Sequence, residues 1–343
     1  MKRNSVFAVI LACVLCLITG CTSTSNVPPP AIEPTPVVTV QPTESPTETP
    51  VSELTVHFID VGQADAAVLQ CGDDTMMIDG GNVADSSLIV AYLKKLNIDN
   101  IDYMVCTHAH EDHVGGLSAP LSVMPVSAVY APSAEADSKA YQNFKRKAAD
   151  QNTEIMHPEN YESFPFGSAR VEILACPDNA DNLNNTSIIL KVTHKNKSFL
   201  FTGDAEREEE QTLLDRGLLK SDVLKVGHHG SDTSTSYPFL REVMPEYAVI
   251  SVGKDKISYG HPTEAVLSRL RDADVQVYRT DLQGDIIMIS DGDNITVTTV
   301  KNEDIQTNET AVEYEEGNYI VNKNSKKFHR PDCHTLPAEK NRV

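Results

Sequence analysis

Three histidines and two carboxylates fall within six residues, His108-Ala109-His110-Glu111-Asp112-His113, directly after the apolar run Ile101–Thr107. This segment constrains the chain more than any other. An apolar run of that length reads as a buried strand, and a strand end is a rigid place from which short side chains converge. Neutral imidazole and carboxylate are the usual protein ligands of zinc and similar divalent ions. His228-His229 form a second group, so five of the chain's 11 histidines lie in two such places. Chance polar loops do not concentrate histidine this way. The chain must therefore fold so that one or more strand ends meet around a cation.

The surrounding pattern supplies such strands. Strands are expected at Leu54–Asp60, Ala67–Gln70, Thr75–Asp79, Ala128–Ala131, Val171–Ala175, Ser187–Thr193 and Ser198–Thr202. More follow at Val223–Val226, Tyr247–Ser251, Val275–Tyr278, Asp285–Ser290 and Ile295–Val300. Helices are expected at Ser87–Leu96, Ser138–Gln151, Glu206–Asp215, near Tyr237–Val243, and at Pro262–Arg271, where a proline suits the first turn. Strands with hairpins and interspersed helices imply an α/β domain. Asp204 ends the apolar run Phe199–Phe201 and its turn, where a carboxylate is costly unless it meets a cation or caps the next helix.

Taken together, the motifs carry a resemblance. His108-Ala109-His110-Glu111-Asp112-His113 precedes Val114-Gly115-Gly116 and resembles the HxHxDH signature of the metallo-β-lactamase superfamily. Phe58–Asp65, Ile78-Asp79-Gly80-Gly81, Phe201-Thr202-Gly203-Asp204, Gly227–Ser231 and Tyr259-Gly260-His261-Pro262 follow in the order of its ComEC-like branch. The resemblance spans roughly Leu54–Val300 and implies an αββα four-layer sandwich. It implies two divalent ions, Zn2+ or Mn2+. His108 and His110 would hold the first, Asp112 and His113 the second, with Asp204 bridging and His261 closing the second site. His228 or His229 would be a general acid or a further ligand. Asp60, Asp65 and Asn185 would support the ligands, although Asp60 and Asp65 equally suit plain turn chemistry.

The resemblance is incomplete at one point. Many superfamily members place a further histidine on the first metal, between the HxHxDH segment and the bridging Asp. His157 and His194 are the candidates, and both read as surface residues. Asn184-Asn185-Thr186-Ser187 stands in that region instead. The first site is therefore expected to be poor in ligands, binding its metal weakly or preferring manganese.

Outside this region the chain has a different character. Lys2-Arg3 and the apolar run to Ile18 end at Ile18-Thr19-Gly20-Cys21, which resembles a bacterial lipobox with Cys21 lipidated. Residues 1–21 read as this signal. Residues 22–52, rich in Pro, Thr and Ser, read as an extended linker. The hydrolase-like domain is placed at 53–300, an acidic linker at 301–317, and at 318–343 a stretch around Cys333-His334 that resembles a partial, truncated Ada-like metal-binding module. Cys71, Cys106 and Cys176 sit in or beside apolar runs and are expected as core thiols.

The net charge of −20, from 29 basic and 49 acidic residues, excludes nucleic-acid binding through a broad basic face. It leaves a cleft in which two ions add positive charge. The mean hydropathy of −0.27 excludes a polytopic membrane protein. The reading is a lipid-anchored extracellular hydrolase in which a metal-bridging hydroxide attacks a phosphodiester or nucleotide, single-stranded DNA included. The competing readings are a surface metal-binding or adhesion protein and a hydrolase of small esters. Nothing in the sequence points to a protein partner.

Overall fold

The computed structural model describes residues 52–178, 182–254 and 259–309, together with two short strands at 320–321 and 328–329. The signal with Cys21, the linker up to residue 51 and most of the C-terminal stretch lie outside the described residues. Contacts separate 1–49 from 50–343, so everything described below belongs to the second unit.

Two sheets make the body. The first contains β1 (Leu54–Phe58), β2 (Ala66–Cys71), β3 (Asp74–Gly80), β4 (Ile101–Val105), β5 (Val126–Tyr130), β6 (Ile155–Met156), β14 (Ile286–Ser290) and β15 (Ile295–Thr299), in the order β15-β14-β1-β2-β3-β4-β5-β6. The second contains β7 (Ser163–Phe166), β8 (Ala169–Ala175), β9 (Ile189–His194), β10 (Lys197–Phe201), β11 (Val223–Lys225), β12 (Tyr247–Ile250) and β13 (Gln276–Arg279), in the order β13-β12-β11-β10-β9-β8-β7. Each sheet is antiparallel on one side and parallel on the other: β3–β6 run parallel in the first, β10–β13 in the second. Parallel neighbours need crossovers, and the helices α1 (Ser86–Lys95), α4 (Lys139–Asp150), α5 (Arg207–Arg216), α6 (Tyr237–Val243) and α7 (Glu264–Asp272) supply them.

Alternation along the strands explains the layering. Val56, Phe58, Leu69 and Ile78 face the second sheet and pack on Val192, Phe199 and Phe201. Phe58 and Phe201 stack across the gap with ring centroids 5.8 Å apart. Truncating such a buried Phe to Ala costs about 3–5 kcal/mol. The opposite faces are apolar too. Met77, Met104 and Val129 pack with Ile89, Leu93 and Phe144 of α1 and α4, whereas Leu200, Leu224 and Ala248 pack with Leu213, Leu240 and Leu270 of α5, α6 and α7. The result is the expected αββα four-layer sandwich.

Three local expectations change. His194 is fully buried, not at the surface: it is the last residue of β9, ahead of the Lys195-Asn196 turn, and its Nδ1 meets Ser290 Oγ of the first sheet at 3.0 Å. The helix expected from Pro262 starts at Glu264, because the Thr263 side chain accepts the Val266 N–H as its cap. The edge strands β6 and β7 were not anticipated: β6 is only two residues long, and β7 contains Pro165, tolerated at the sheet edge, where a missing N–H is harmless. Cys71, Cys106 and Cys176 are buried free thiols. His157 is exposed.

Candidate metal centre

The polar cluster gathers at the carboxyl ends of the parallel strands, where neighbouring loops diverge and leave a crevice. From the first sheet, β3 delivers Asp79, β4 delivers Thr107 and His108, and the short helix α2 (Glu111–Val114) carries Asp112 and His113. From the second, the turn after β10 delivers Asp204, and the turn after β11 delivers His228 and His229. Two backbone features set these turns. A Cβ on Gly116 would lie 1.9 Å from Gly80 O, so only glycine lets the segment after His113 press against the end of β3. His228 and His229 both adopt left-handed φ, 48° and 52°, an uncommon conformation for consecutive side-chain-bearing residues. The turn is held by His228 N–H donating to Gly203 O at 3.2 Å and Ser234 Oγ donating to Gly227 O at 2.8 Å. Strain held this firmly accompanies functional sites.

The ligand-type atoms converge. One atom each from His108, His113 and Asp204 lie within 4.8 Å of one another, as do atoms from Asp112, His113 and His229, and from Asp65, Asp204 and His229. His108 Nε2 is 3.0 Å from His110 Nδ1, His113 Nε2 is 3.3 Å from Asp204 Oδ1, and His229 Nε2 is 3.3 Å from Asp112 Oδ2. Two donors about 2.05 Å from a tetrahedral ion stand about 3.3 Å apart, so these separations fit divalent coordination. His113 Nε2, His229 Nε2 and Asp204 Oδ1 are buried and make no hydrogen bond. Orphaned buried polar atoms are costly, and those here lie around the same small volume. The residues present therefore fit divalent cations.

Each imidazole is oriented from behind. His113 Nδ1 donates to Asp79 Oδ2 at 2.8 Å, and Asp79 also accepts from Thr107 N–H at 2.8 Å and Thr107 Oγ1 at 2.7 Å. His229 Nδ1 donates to Ser251 O at 3.0 Å and lies 3.4 Å from Asp65 Oδ1. His108 Nδ1 is 3.2 Å from Thr107 Oγ1 and 3.4 Å from Ser187 Oγ. His228 differs, being partly exposed, with Nδ1 near Thr233 Oγ1 (3.1 Å) and Glu206 Oε1 (3.3 Å) and Nε2 3.9 Å from Asp204 Oδ2.

The site's charges reflect that packing. Burial, with His113 nearby, keeps His108 neutral, well below the ordinary imidazole range. Burial opposes a charge on His113 too, but Asp204 and Asp79 overcome it and hold this group well above that range. Against the same burial, Asp204 and Asp65 raise His229 to about 10. Asp204 is held well below the usual carboxylate range by His113 and His229 despite its burial. Asp112, also opposed by burial, is lowered to about 2 through His229 and His113. A metal arriving here displaces protons from His113 and His229, so loading is pH-linked.

Other residues singled out from the sequence stand further away. His229, not His261, lies against Asp112 and His113; His261 stacks edge-on behind His228, centroids 5.7 Å apart, with Nδ1 3.3 Å from Gln63 Nε2. Asp60 turns from the cluster: its carboxylate pairs with Lys301 Nζ at 3.2 Å. Asn185 is buried, but its Oδ1 accepts Glu206 N–H at 2.8 Å and braces the loop after Asp204. Asp204 is not the cap of α5; Glu206 occupies that position. Asp79 and Lys225 were not anticipated. Both were readable as charges at the ends of apolar strands, the signal that singled out Asp204.

With this geometry in place, similarity to known proteins is informative. The model of the Metallo-beta-lactamase superfamily matches residues 59–172 and 179–254. The chain belongs to the metallo-beta-lactamase superfamily. Its superfamily relatives include ComE operon protein 3 of Bacillus subtilis, 30% identical over 256 residues covering 68% of this chain and 33% of that protein. Competence protein ComA of Neisseria gonorrhoeae is 33% identical over 244 residues, covering 70% of this chain and 33% of that protein. The chain thus carries a ComEC-like metallo-beta-lactamase domain and spans about a third of the length of these relatives. Among solved structures, the metallo-beta-lactamase fold protein YhfI from Bacillus subtilis aligns with a TM-score of 0.49 at 12% identity, covering 70% of this chain and 100% of that one.

Proposed function

We propose that this chain is a two-metal phosphodiesterase acting on nucleotides or single-stranded DNA, anchored outside a bacterial membrane by lipidated Cys21. The observation that carries the chemistry is the set of buried, unpartnered atoms His113 Nε2, His229 Nε2 and Asp204 Oδ1 facing one volume. Under this reading His108 and His110 with Asp204 hold one ion, and Asp112, His113 and His229 with Asp204 hold the other, as Zn2+ or Mn2+. Bound, the pair supplies Lewis acidity and an activated water. The chain's own residues do the rest. Asp112 orients groups at the second position through its exposed edge. His228, the partly exposed member, points Nε2 into the crevice while Thr233 and Glu206 fix its other nitrogen, so it is placed to hydrogen-bond a departing oxygen. Similarity to competence proteins favours a nucleic-acid substrate, and the acidic exterior confines it to the crevice. Among the described residues no helix is long and apolar enough to cross a membrane, so the reading of an anchor rests on the Cys21 segment.

The test is hydrolysis of bis-p-nitrophenyl phosphate with added Mn2+ or Zn2+, wild type against Asp112→Ala, followed by single-stranded DNA, double-stranded DNA, RNA and cyclic dinucleotides. Metal-dependent turnover lost in Asp112→Ala supports the proposal. Ion binding without turnover of any phosphodiester leaves the surface metal-binding reading in its place.

A further inference from the structure

Beneath the histidines lies a buried cation that the chemistry above does not use. Lys225 ends β11 in the middle of the second sheet and is 4% exposed. Its Nζ donates to Asp65 Oδ2 at 2.8 Å and to Val226 O at 2.8 Å. Asp65 belongs to the other sheet, in the turn between β1 and β2, and is equally buried. Its main chain is pinned as well: Asp65 N–H donates to Asp112 O at 3.0 Å, and Gly81 N–H donates to Asp65 O at 2.8 Å. Its second oxygen, Oδ1, faces His229 Nδ1 at 3.4 Å.

The arrangement is a relay of charge rather than of hydrogen bonds: Asp65 reaches from the first sheet to Lys225 with Oδ2 and stands 3.4 Å from His229 Nδ1 with Oδ1, while Nδ1 itself donates to Ser251 O and Nε2 enters the volume where Asp112 and Asp204 meet. A small cavity of about 10 Å³ lies beneath the cluster, lined among others by Asp65, Asp79, Thr107, Lys225 and Ser251. That is room for about one water. Among the described residues, Lys225 is the one basic side chain lining it. A lysine is rarely buried so deeply, because desolvation of the ammonium must be offset by a well-placed anion. A pair that served only to join the sheets could be replaced by apolar residues without cost to anything but cohesion. Here the anion of the pair also faces an imidazole whose far nitrogen enters the site.

We infer that Lys225 is a positioning residue for the metal centre: it fixes the Asp65 carboxylate, which in turn holds the His229 ring with Nε2 aimed between Asp112 and Asp204. The inference rests on the two-metal reading of the cluster and reaches beyond its ligands to a lysine that shares the end of β11 with His229 and is tied to it through Asp65 of the other sheet. Supporting groups of this kind tune affinity without touching the ion.

The experiment measures Zn2+ and Mn2+ stoichiometry and affinity of the full chain by competition with a chromogenic chelator. The variants are Lys225→Met, Lys225→Arg, Asp65→Asn and the double variant Lys225→Met/Asp65→Asn, with far-UV circular dichroism recorded for each. Lys225→Met is expected to weaken one of two metal equivalents about 10–100-fold while the other stays near wild type. Lys225→Arg is expected to restore part of the loss, and the double variant to match Asp65→Asn alone, because both changes cut the same relay. Should Lys225→Met fail to fold, Lys225→Arg, which keeps a charge opposite Asp65, decides: one weakened site supports the inference, and two sites of wild-type affinity overturn it. Two wild-type equivalents in Lys225→Met, or losses that simply add in the double variant, also overturn it. Absence of metal binding by the wild type would instead remove the two-metal reading on which it stands.

Discussion

Replacing Asp79 by Asn separates two roles that a truncation would confuse. Asp79 has a left-handed φ of 57°, a conformation Asn tolerates nearly as well, whereas Ala would add about 1 kcal/mol or more of backbone cost. Asn keeps the shape and one acceptor oxygen for the Thr107 N–H. It loses the second anionic oxygen, which accepts from His113 Nδ1 at 2.8 Å. With an amide –NH2 facing Nδ1, the imidazole is driven to the other tautomer, and its proton moves to Nε2, the nitrogen that faces Asp204. A protonated Nε2 has no lone pair for an ion. The lost charge-assisted hydrogen bond is worth about 1.5–3 kcal/mol, but burial already raises the Asp79 pKa, so a neutral isostere recovers part of that in desolvation. Apo stability should therefore change by about 1 kcal/mol, while metal affinity falls about 10–100-fold, or about 1.4–2.7 kcal/mol. Urea unfolding in excess chelator measures the first quantity and chelator competition the second. Wild-type affinity in a folded Asp79→Asn chain would refute the tautomer argument.

Three further outcomes are expected. Gly230 has φ 82°, and a Cβ there would sit 2.6 Å from Pro262 Cβ; Gly230→Ala should cost about 2–4 kcal/mol and lower Tm by about 5–10 °C, whereas Gly62→Ala, with φ 73° and no neighbour within 4 Å, should show only the backbone part. His57 is lowered to about 4 by burial and by Lys95. Below its unfolded value of about 6.5 the unfolded chain takes up a proton that the folded chain refuses, so this contribution is complete above that pH and declines until about pH 4, by about 2–3 kcal/mol; His57→Leu should flatten that part of the profile of urea midpoints. Tyr259 is exposed beside His261, with ring centroids 6.1 Å apart, and offers a stacking surface at the mouth of the site; Tyr259→Ala should raise KM for a short single-stranded oligonucleotide at least about 5-fold with kcat little changed, and an unaltered KM would exclude base stacking there.

Sequence periodicity located nearly every strand of the two sheets because alternation and apolar runs report burial directly. It missed β6, which is only two residues long, and β7, since Pro165 argues against a strand unless the strand is known to be an edge. The segment His108–His113 announced the site for a local reason: its donors share one turn. The partner from the other sheet was harder to choose. Whether His229 or His261 meets Asp112 depends on two successive left-handed residues after Gly227, and no pattern of apolar residues encodes that turn. His194 looked exposed because a hairpin tip follows it, yet its side chain points back between the sheets. Lys225 carried the same strand-end signal as Asp204, but its partner lies 160 positions away and no local pattern points to it.

The burial of His194 bears on how the sandwich breathes. At the rim remote from the metal cluster, His194 bonds Ser290 of the facing sheet, and Ser168 Oγ reaches both His194 Nε2 and Cys71 Sγ at 3.3 Å. This latch is made of neutral groups and is independent of any ion. The other rim is closed by carboxylates and imidazoles, and a bound cation stabilises it in proportion to occupancy. Removing metal should therefore loosen one rim and spare the other, like a book held at the spine. Amide exchange would quicken first around Asp204 and His229 and last around Ser290, making chelation a way to open this protein from its working edge without unfolding it.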